Sequence, residues 1–435
     1  MRVCKCFVCV VVISLVLCGY HGAYGKVYID IDSPTFNKFP IAITDFEKLK
    51  GSEEKENLSS WLSDALTKSL ERTGLFDVVD KKAFLDNQGG SAVENIRFAD
   101  WKVIGTEYLV KGNFLFDGKD LITEFRLFDV IKREFILGKK YYGRIEDRRE
   151  MVLKFAGEIL LALTGNEGVF NTKIAFVLKG NKTSDIYTIA FDGYDFARIT
   201  NYNSITLSPR WSPDGNDISF TSYKDSNPDL YLMSLRDRKA KKIAGFRGLN
   251  LSGAWSPDGK RMLLTLSKDG NEEIYVMDIK SGQLSRLTNN FAIDVSPTWS
   301  PDGQKITFVS DRSGSPQVYL MDADGSNVRR LTYQGGYNTS PSWSPRGDRI
   351  AYESMTDGFF QIFSIEEGGS NSIQLTSGTG NKESPSWSPD GRYIVFSSKL
   401  GGRSKIYIMN INGSNLRLLY ESVDNVIGLA WSPKF

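Results

Sequence analysis

Trp299-Ser300-Pro301-Asp302-Gly303 belongs to a pattern that returns every 44 residues. Trp-Ser-Pro begins at Trp211, Trp255, Trp299, Trp343, Trp387 and Trp431. Five of the six copies run on into Asp-Gly or Arg-Gly, which puts Gly215, Gly259, Gly303, Gly347 and Gly391 in register. An aromatic keeps the same period at Tyr187, Tyr231, Tyr275, Tyr319, Phe363 and Tyr407. An apolar position does so at Ile199, Ile243, Leu287, Leu331, Leu375 and Leu419. Around Trp299 the repeat reads as four strands. Residues 296–299 form a short strand, and Ser-Pro-Asp-Gly a tight turn in which proline presets φ and glycine takes the left-handed position. Residues 305–310 and 317–322 read as β-branched and apolar strands, and Asp324-Gly325 turns the chain into a fourth strand over 328–332. Four antiparallel strands every 40–45 residues is the pattern of a propeller blade.

The phase of the repeat predicts closure. Residues 173–200 carry strands two to four of a blade with no Trp-Ser-Pro before them, and Trp431-Ser432-Pro433 has no strands after it. The two fragments complete one blade, so the last strand should pair with the first and close a six-bladed ring. Each tryptophan is expected to fill the wedge between blades.

Residues 26–165 lack the repeat. A strand over 39–46 precedes a helix whose Leu58, Trp61, Leu62, Ala65, Leu66 and Leu70 share one face, with Gly74 as its C-cap. A strand at 76–79, a short helix at 96–104, a three-strand meander over 107–143 and a helix over 147–163 complete an α/β domain. The expected organisation is residues 1–25 as a signal, 26–33 as an N-terminal segment, 34–165 as the α/β domain and 166–435 as the propeller. Segment 26–33 alternates Val27, Ile29 and Ile31 with polar residues. This pattern fits an edge strand, the preferred reading, or a detachable arm that adds to a partner's sheet.

The first 25 residues combine Arg2 and Lys5 with the apolar run 7–18 and end in Ala23-Tyr24-Gly25, the layout of a cleavable export signal with cleavage after Gly25. Twelve helical residues reach about 18 Å, short of the ~30 Å hydrocarbon core. Lipidation at Cys18 is disfavoured by the bulky Leu17 before it. All four cysteines (Cys4, Cys6, Cys9 and Cys18) and the single histidine, His21, lie in this segment. Its removal leaves no thiol or imidazole for a disulfide, a Cys- or His-based zinc site or a Ser-His-Asp relay. Two of the 54 basic residues and none of the 52 acidic ones lie there too, so the remainder is balanced in charge. Nothing in that balance draws nucleic acid or anionic lipid. No metal, cofactor or catalytic residue is expected, nor insertion in a membrane after cleavage, and a monomer is expected.

In a blade, both Asp-Gly-type turns lie on one face. The other face collects the loops between strands two and three and the loops linking blades. These include Tyr202-Asn203-Ser204, Phe246-Arg247-Gly248-Leu249-Asn250, Asn290-Phe291, Asp294-Val295, Tyr337-Asn338, Phe359-Phe360, Lys382-Glu383 and Asp424-Asn425. Varied aromatic, amide and charged residues around a channel mouth suit a protein interface better than a small-ligand pocket. Two other readings remain open: a channel hydrolase of glycosides or lactones, which needs converging carboxylates, and a peptidoglycan-binding module. No Gly-x-Ser-x-Gly elbow or Gly-x4-Gly-Lys-Ser/Thr loop occurs.

The Trp-Ser-Pro-Asp-Gly blade, together with Phe39-Pro40-Ile41-Ala42, Leu163-Thr164-Gly165, Thr172-Lys173-Ile174-Ala175, Ser315-Pro316-Gln317-Val318-Tyr319 and Trp431-Ser432-Pro433, resembles the TolB-type propeller family across the whole chain after the signal. The resemblance implies a non-enzymatic periplasmic scaffold of the Tol-Pal system, serving envelope integrity and constriction during cell division. It implies that the propeller mouth binds the peptidoglycan-associated lipoprotein Pal, and that the N-terminal segment (Val27, Tyr28, Ile29 and Ile31) binds TolA, which replaces the edge-strand preference. By the same resemblance Leu249, Ser252 and Val295 fall at Pal-contacting positions. Asn203, Arg247, Asp294, Asn338, Glu383 and Asp424 are further loop candidates. One departure from the family pattern is visible: Leu153 and Gly157 stand where a histidine and an aspartate are common.

Overall fold

The computed structural model describes residues 37–52, 57–85 and 92–435. The signal, with its cysteines and histidine, and the N-terminal segment with Val27, Tyr28, Ile29 and Ile31 lie outside the described residues. The first sheet contains β1 (Phe39–Ile43), β2 (Glu47–Lys48), β3 (Phe76–Val78), β4 (Tyr108–Phe116), β5 (Asp120–Asp129) and β6 (Glu134–Arg144). Its order is β3-β1-β4-β5-β6, with β2 on β4; β1 runs parallel to β3 and β4, and β4-β5-β6 is the expected meander. Helices α1 (Leu58–Thr73) and α3 (Arg148–Thr164) cover one side. The short α2 (Phe98–Val103) packs Phe98 and Trp101 against Leu109 and Phe128 on the other. Gly74 and Gly165 end the two long helices at φ 72° and 74°, a conformation that costs glycine little. The strand expected over 39–46 stops at Ile43 because the chain bends there to add β2 to β4.

Six four-stranded sheets follow, numbered here as blades 1 to 6. Blade 1 joins Asn425–Trp431 to Lys173–Lys179, with Trp431 opposite Ile174, as the repeat phase predicts. Ser432 N donates to Lys173 O at 2.8 Å, Lys173 N to Ser432 Oγ at 2.9 Å, and Trp431 Nε1 to Thr172 Oγ1 at 2.9 Å. The ends of the repeat are therefore held by one sheet. In the blade that carries Trp299, the first three strands are Asp294–Trp299, Lys305–Ser310 and Gln317–Asp322. The outermost strand contracts to Arg329–Arg330, because its outer edge has no neighbour to prolong the ladder.

Trp211, Trp299, Trp343, Trp387 and Trp431 are buried and Trp255 partly so. Each packs between blades: Trp299 lies with Leu263 and Ile274 of blade 3 and Ile306 and Phe308 of its own blade. Ser-Pro-Asp-Gly explains itself locally. Ser300 Oγ donates to Asp302 Oδ1 at 2.5 Å and accepts Lys305 N at 2.9 Å, Asp302 accepts Gln304 N, and Gly303 sits at φ 70°. The serine hydroxyl and backbone amide hold the Asp302 carboxyl below its ordinary pKa, as they do at Asp214 and Asp258. These aspartates are ionised turn caps.

Candidate functional site: the loop face of the propeller

The two propeller faces are occupied differently. The α/β domain sits on the turn face, over blades 1 and 6. Arg149 of α3 grips the Asp192-Gly193 turn, its Nη2 and Nε donating to the Asp192 carboxylate at 2.6 and 3.0 Å and its Nη1 to Asp195 at 2.8 Å. Tyr393 Oη, fully enclosed, donates to the carbonyl of Thr73 at the end of α1 at 2.9 Å. Phe155 and Leu160 of α3 share one apolar cluster with Phe191, Tyr393 and Trp431. The loop face is uncovered by any described residue.

On that face the expected residues separate into two groups. Asn203, Arg247 and Asp424 are exposed, and Leu249, Val295 and Glu383 are half-buried. Ser252, Asp294 and Asn338 are instead buried, so they correct the expectation of direct contact. Ser252 Oγ lies 3.0 Å from Ser219 Oγ, and its amide donates to Thr221 Oγ1 at 3.0 Å, joining blades 3 and 2. Asp294 pairs with Arg312 at 2.7 Å. Burial nevertheless pushes the Asp294 carboxyl up. Asn338 Nδ2 donates to Gln317 Oε1 and Gln334 O, both at 2.7 Å. These three side chains hold the loops in place.

Glu273, outside the expected set, does the same work. Fully buried, it accepts Thr288 Oγ1 at 2.5 Å, Asn290 N at 2.7 Å and Arg286 Nη2 at 2.8 Å. The loop it anchors presents Phe291, 90% exposed, beside Ile293. Tyr337 stacks edge-on against Phe360 at 5.4 Å, and Leu400 and Val423 add exposed apolar surface. A signal exists for the anchor: Asp185, Asp229, Glu273, Gln317 and Gln361 share the 44-residue register near the start of the third strand in five of the six blades. Nothing in the sequence distinguished a buried acid there from a solvated one.

Two pairs of carboxylates interact electrostatically on this side, Glu353 with Glu383 and Asp294 with Glu273. Glu353 is enclosed, and burial pushes its pKa up to about 7, with Glu383 adding to the rise. Its Oε1 accepts Ser384 N at 2.6 Å. In the same register three blades earlier, Thr221 accepts Ser252 N. Glu353 therefore stitches blades 5 and 6 and is absent from the walls of the central cavity. Among the described residues no cluster of three or more His, Cys, Asp or Glu could hold a metal ion, and no helix is long and apolar enough to cross a membrane.

Residues 161–435 match the TolB beta propeller domain and residues 27–136 the TolB amino-terminal domain. The chain belongs to the TolB family. It is 52% identical over 214 residues to the Tol-Pal system protein TolB of Syntrophus aciditrophicus (strain SB), covering 48% of this chain and 47% of the relative. It is 40% identical over 220 residues to the protein of the same name from Desulfosudis oleivorans, covering 50% of each. These matches span about half the length of the curated relatives. The crystal structure of TolB from Acinetobacter baumannii superposes with a TM-score of 0.81 at 31% identity, covering 92% of this chain and 97% of that one. The α/β domain followed by six blades is thus a TolB architecture.

Proposed function

We propose that this TolB-family chain is a non-enzymatic, periplasmic protein-binding component of the Tol-Pal system. Its loop face would bind the peptidoglycan-associated lipoprotein Pal, and segment 26–33, through Val27, Tyr28, Ile29 and Ile31, would bind TolA. The observation that carries the reading is the division of the two faces: the α/β domain occupies the turn face and leaves exposed Phe291, Ile293, Arg247 and Asn203 around the opposite mouth. Exposed aromatic and arginine side chains on buried polar anchors are the material of interface hot spots. Leu249, Val295, Asn203, Arg247, Glu383 and Asp424 are the proposed contacts, while Ser252, Asp294 and Asn338 position them.

Pull-down of the purified protein with Pal tests the face. Leu249→Asp and Val295→Asp should each weaken capture at least tenfold with melting unchanged, and capture that is unaltered by both rejects the assignment. Deleting residues 26–33 should abolish TolA capture. Sedimentation with sacculi stripped of Pal separates out a carbohydrate-binding module, and turnover of a glycoside or lactone panel separates out a hydrolase. No observation here favours either of those two readings.

A further inference from the structure

The residue just before each repeated tryptophan is small in five of the six copies: Ala254, Thr298, Ser342, Ser386 and Ala430. In blade 2 it is Arg210. These positions line a central cavity of about 430 Å³, together with the inner-strand residues Ser208, Ser296, Ser340 and Ser384. Arg210 is the one charged residue among those walls, and no carboxylate lines them. Its Nη1 donates to the carbonyl of the adjacent Pro209 at 2.9 Å. It forms no ion pair among the described residues, whereas Arg149, Arg198, Arg286 and Arg312 all do. Burial without a compensating acid lowers its pKa. Arg210 is half-buried, and with no acid beside it the guanidinium keeps part of its desolvation cost until an anion meets it.

The donors around it complete a site. Ser208, Ser296, Thr298 and Ser342 make no side-chain hydrogen bond among the described residues, and all four line the same cavity. A planar guanidinium offers two parallel N–H groups that match two oxygens of a tetrahedral oxyanion, and hydroxyls from other blades can donate to the rest. We infer that the propeller lumen holds a small free oxyanion of the phosphate or sulfate class, clasped by Arg210 and the hydroxyls of Ser208, Thr298 and Ser342. The inference is independent of which protein docks on the loop face.

Thermal melting in phosphate or sulfate, against chloride at matched ionic strength, tests it. The unsubstituted protein should show a saturable rise of about 2–4 °C. Arg210→Met, which keeps the volume and loses the charge, should lose that rise while melting normally in chloride. If Arg210→Met fails to fold, Arg210→Lys serves: it retains the charge without the fork and should weaken the apparent affinity at least fivefold. No saturable response in the unsubstituted protein overturns the inference. So does a response that the usable variant leaves unchanged.

Discussion

The turn face and the loop face are built from the same six blades, yet they obey different rules. On the turn face one sequence, Ser-Pro-Asp-Gly, recurs with the same internal hydrogen bonds, and a folded domain lies on part of it. On the loop face each blade has its own residues, and what recurs in five of the six blades is a buried polar anchor: Asp185, Asp229, Glu273, Gln317 or Gln361. Periodic sequence builds the frame here. The aperiodic remainder is free to specify a partner.

The sharpest test of that division sets closure against display. Trp431→Ala removes a buried ring packed 6.0 Å from Phe191 and bonded to Thr172, and should cost about 3–5 kcal/mol, read by chemical denaturation. A loss under 1 kcal/mol would mean that closure does not depend on this ring. Next comes Glu353→Gln, which tests an anchor through pH. The folded-state pKa of about 7 lies above the ordinary glutamate value. Stability from the neutral form is therefore full below about 4.5 and is lost as pH rises through 7. The amide keeps an acceptor for Ser384 N and cannot ionise, so E353Q should be about 1–3 kcal/mol more stable than the parent at pH 8 and equal to it near pH 4. Equal stability at both pH values would mean that ionisation of Glu353 does not weaken the fold.

A smaller effect is expected where the domain meets the turn face. Arg149→Ala leaves the buried Asp192 carboxylate without its guanidinium and should cost about 1–2 kcal/mol, while Tyr393 and the shared apolar cluster keep the domain seated. Increased proteolysis at residues 165–172, with propeller melting unchanged, would show that the ion pair carries more of the docking than this. The smallest effect on stability belongs to the loop face. Phe291→Ser, at a side chain 90% exposed, should move melting by less than about 0.5 kcal/mol while weakening capture of Pal. A large loss of stability would place Phe291 in the scaffold.

Most of the scaffold is legible in the sequence. Helix α1 ends one residue before Gly74, α3 one residue before Gly165, and Trp431 faces Ile174, because capping and strand pairing are announced by local residue type and phase. The interface candidates were legible only by loop. Asn203 and Arg247 emerge exposed, whereas the side chains of Asp294, Asn338 and Ser252, equally polar in the sequence, turn inward to Arg312, Gln317 and Ser219. Their partners lie 18, 21 and 33 residues away, and the repeat does not say which of these residues meet.

By itself the sequence determined the number of blades, how they close and the turn chemistry that separates the strands, since each is a short-range property repeated in register. Only the tertiary structure decided which loop side chains face solvent, that the α/β domain seats on the turn face, and that Arg210 stands in the lumen with no counter-ion among the described residues. Those outcomes depend on which distant groups meet across blades and domains, and the balance between desolvation and pairing is struck there.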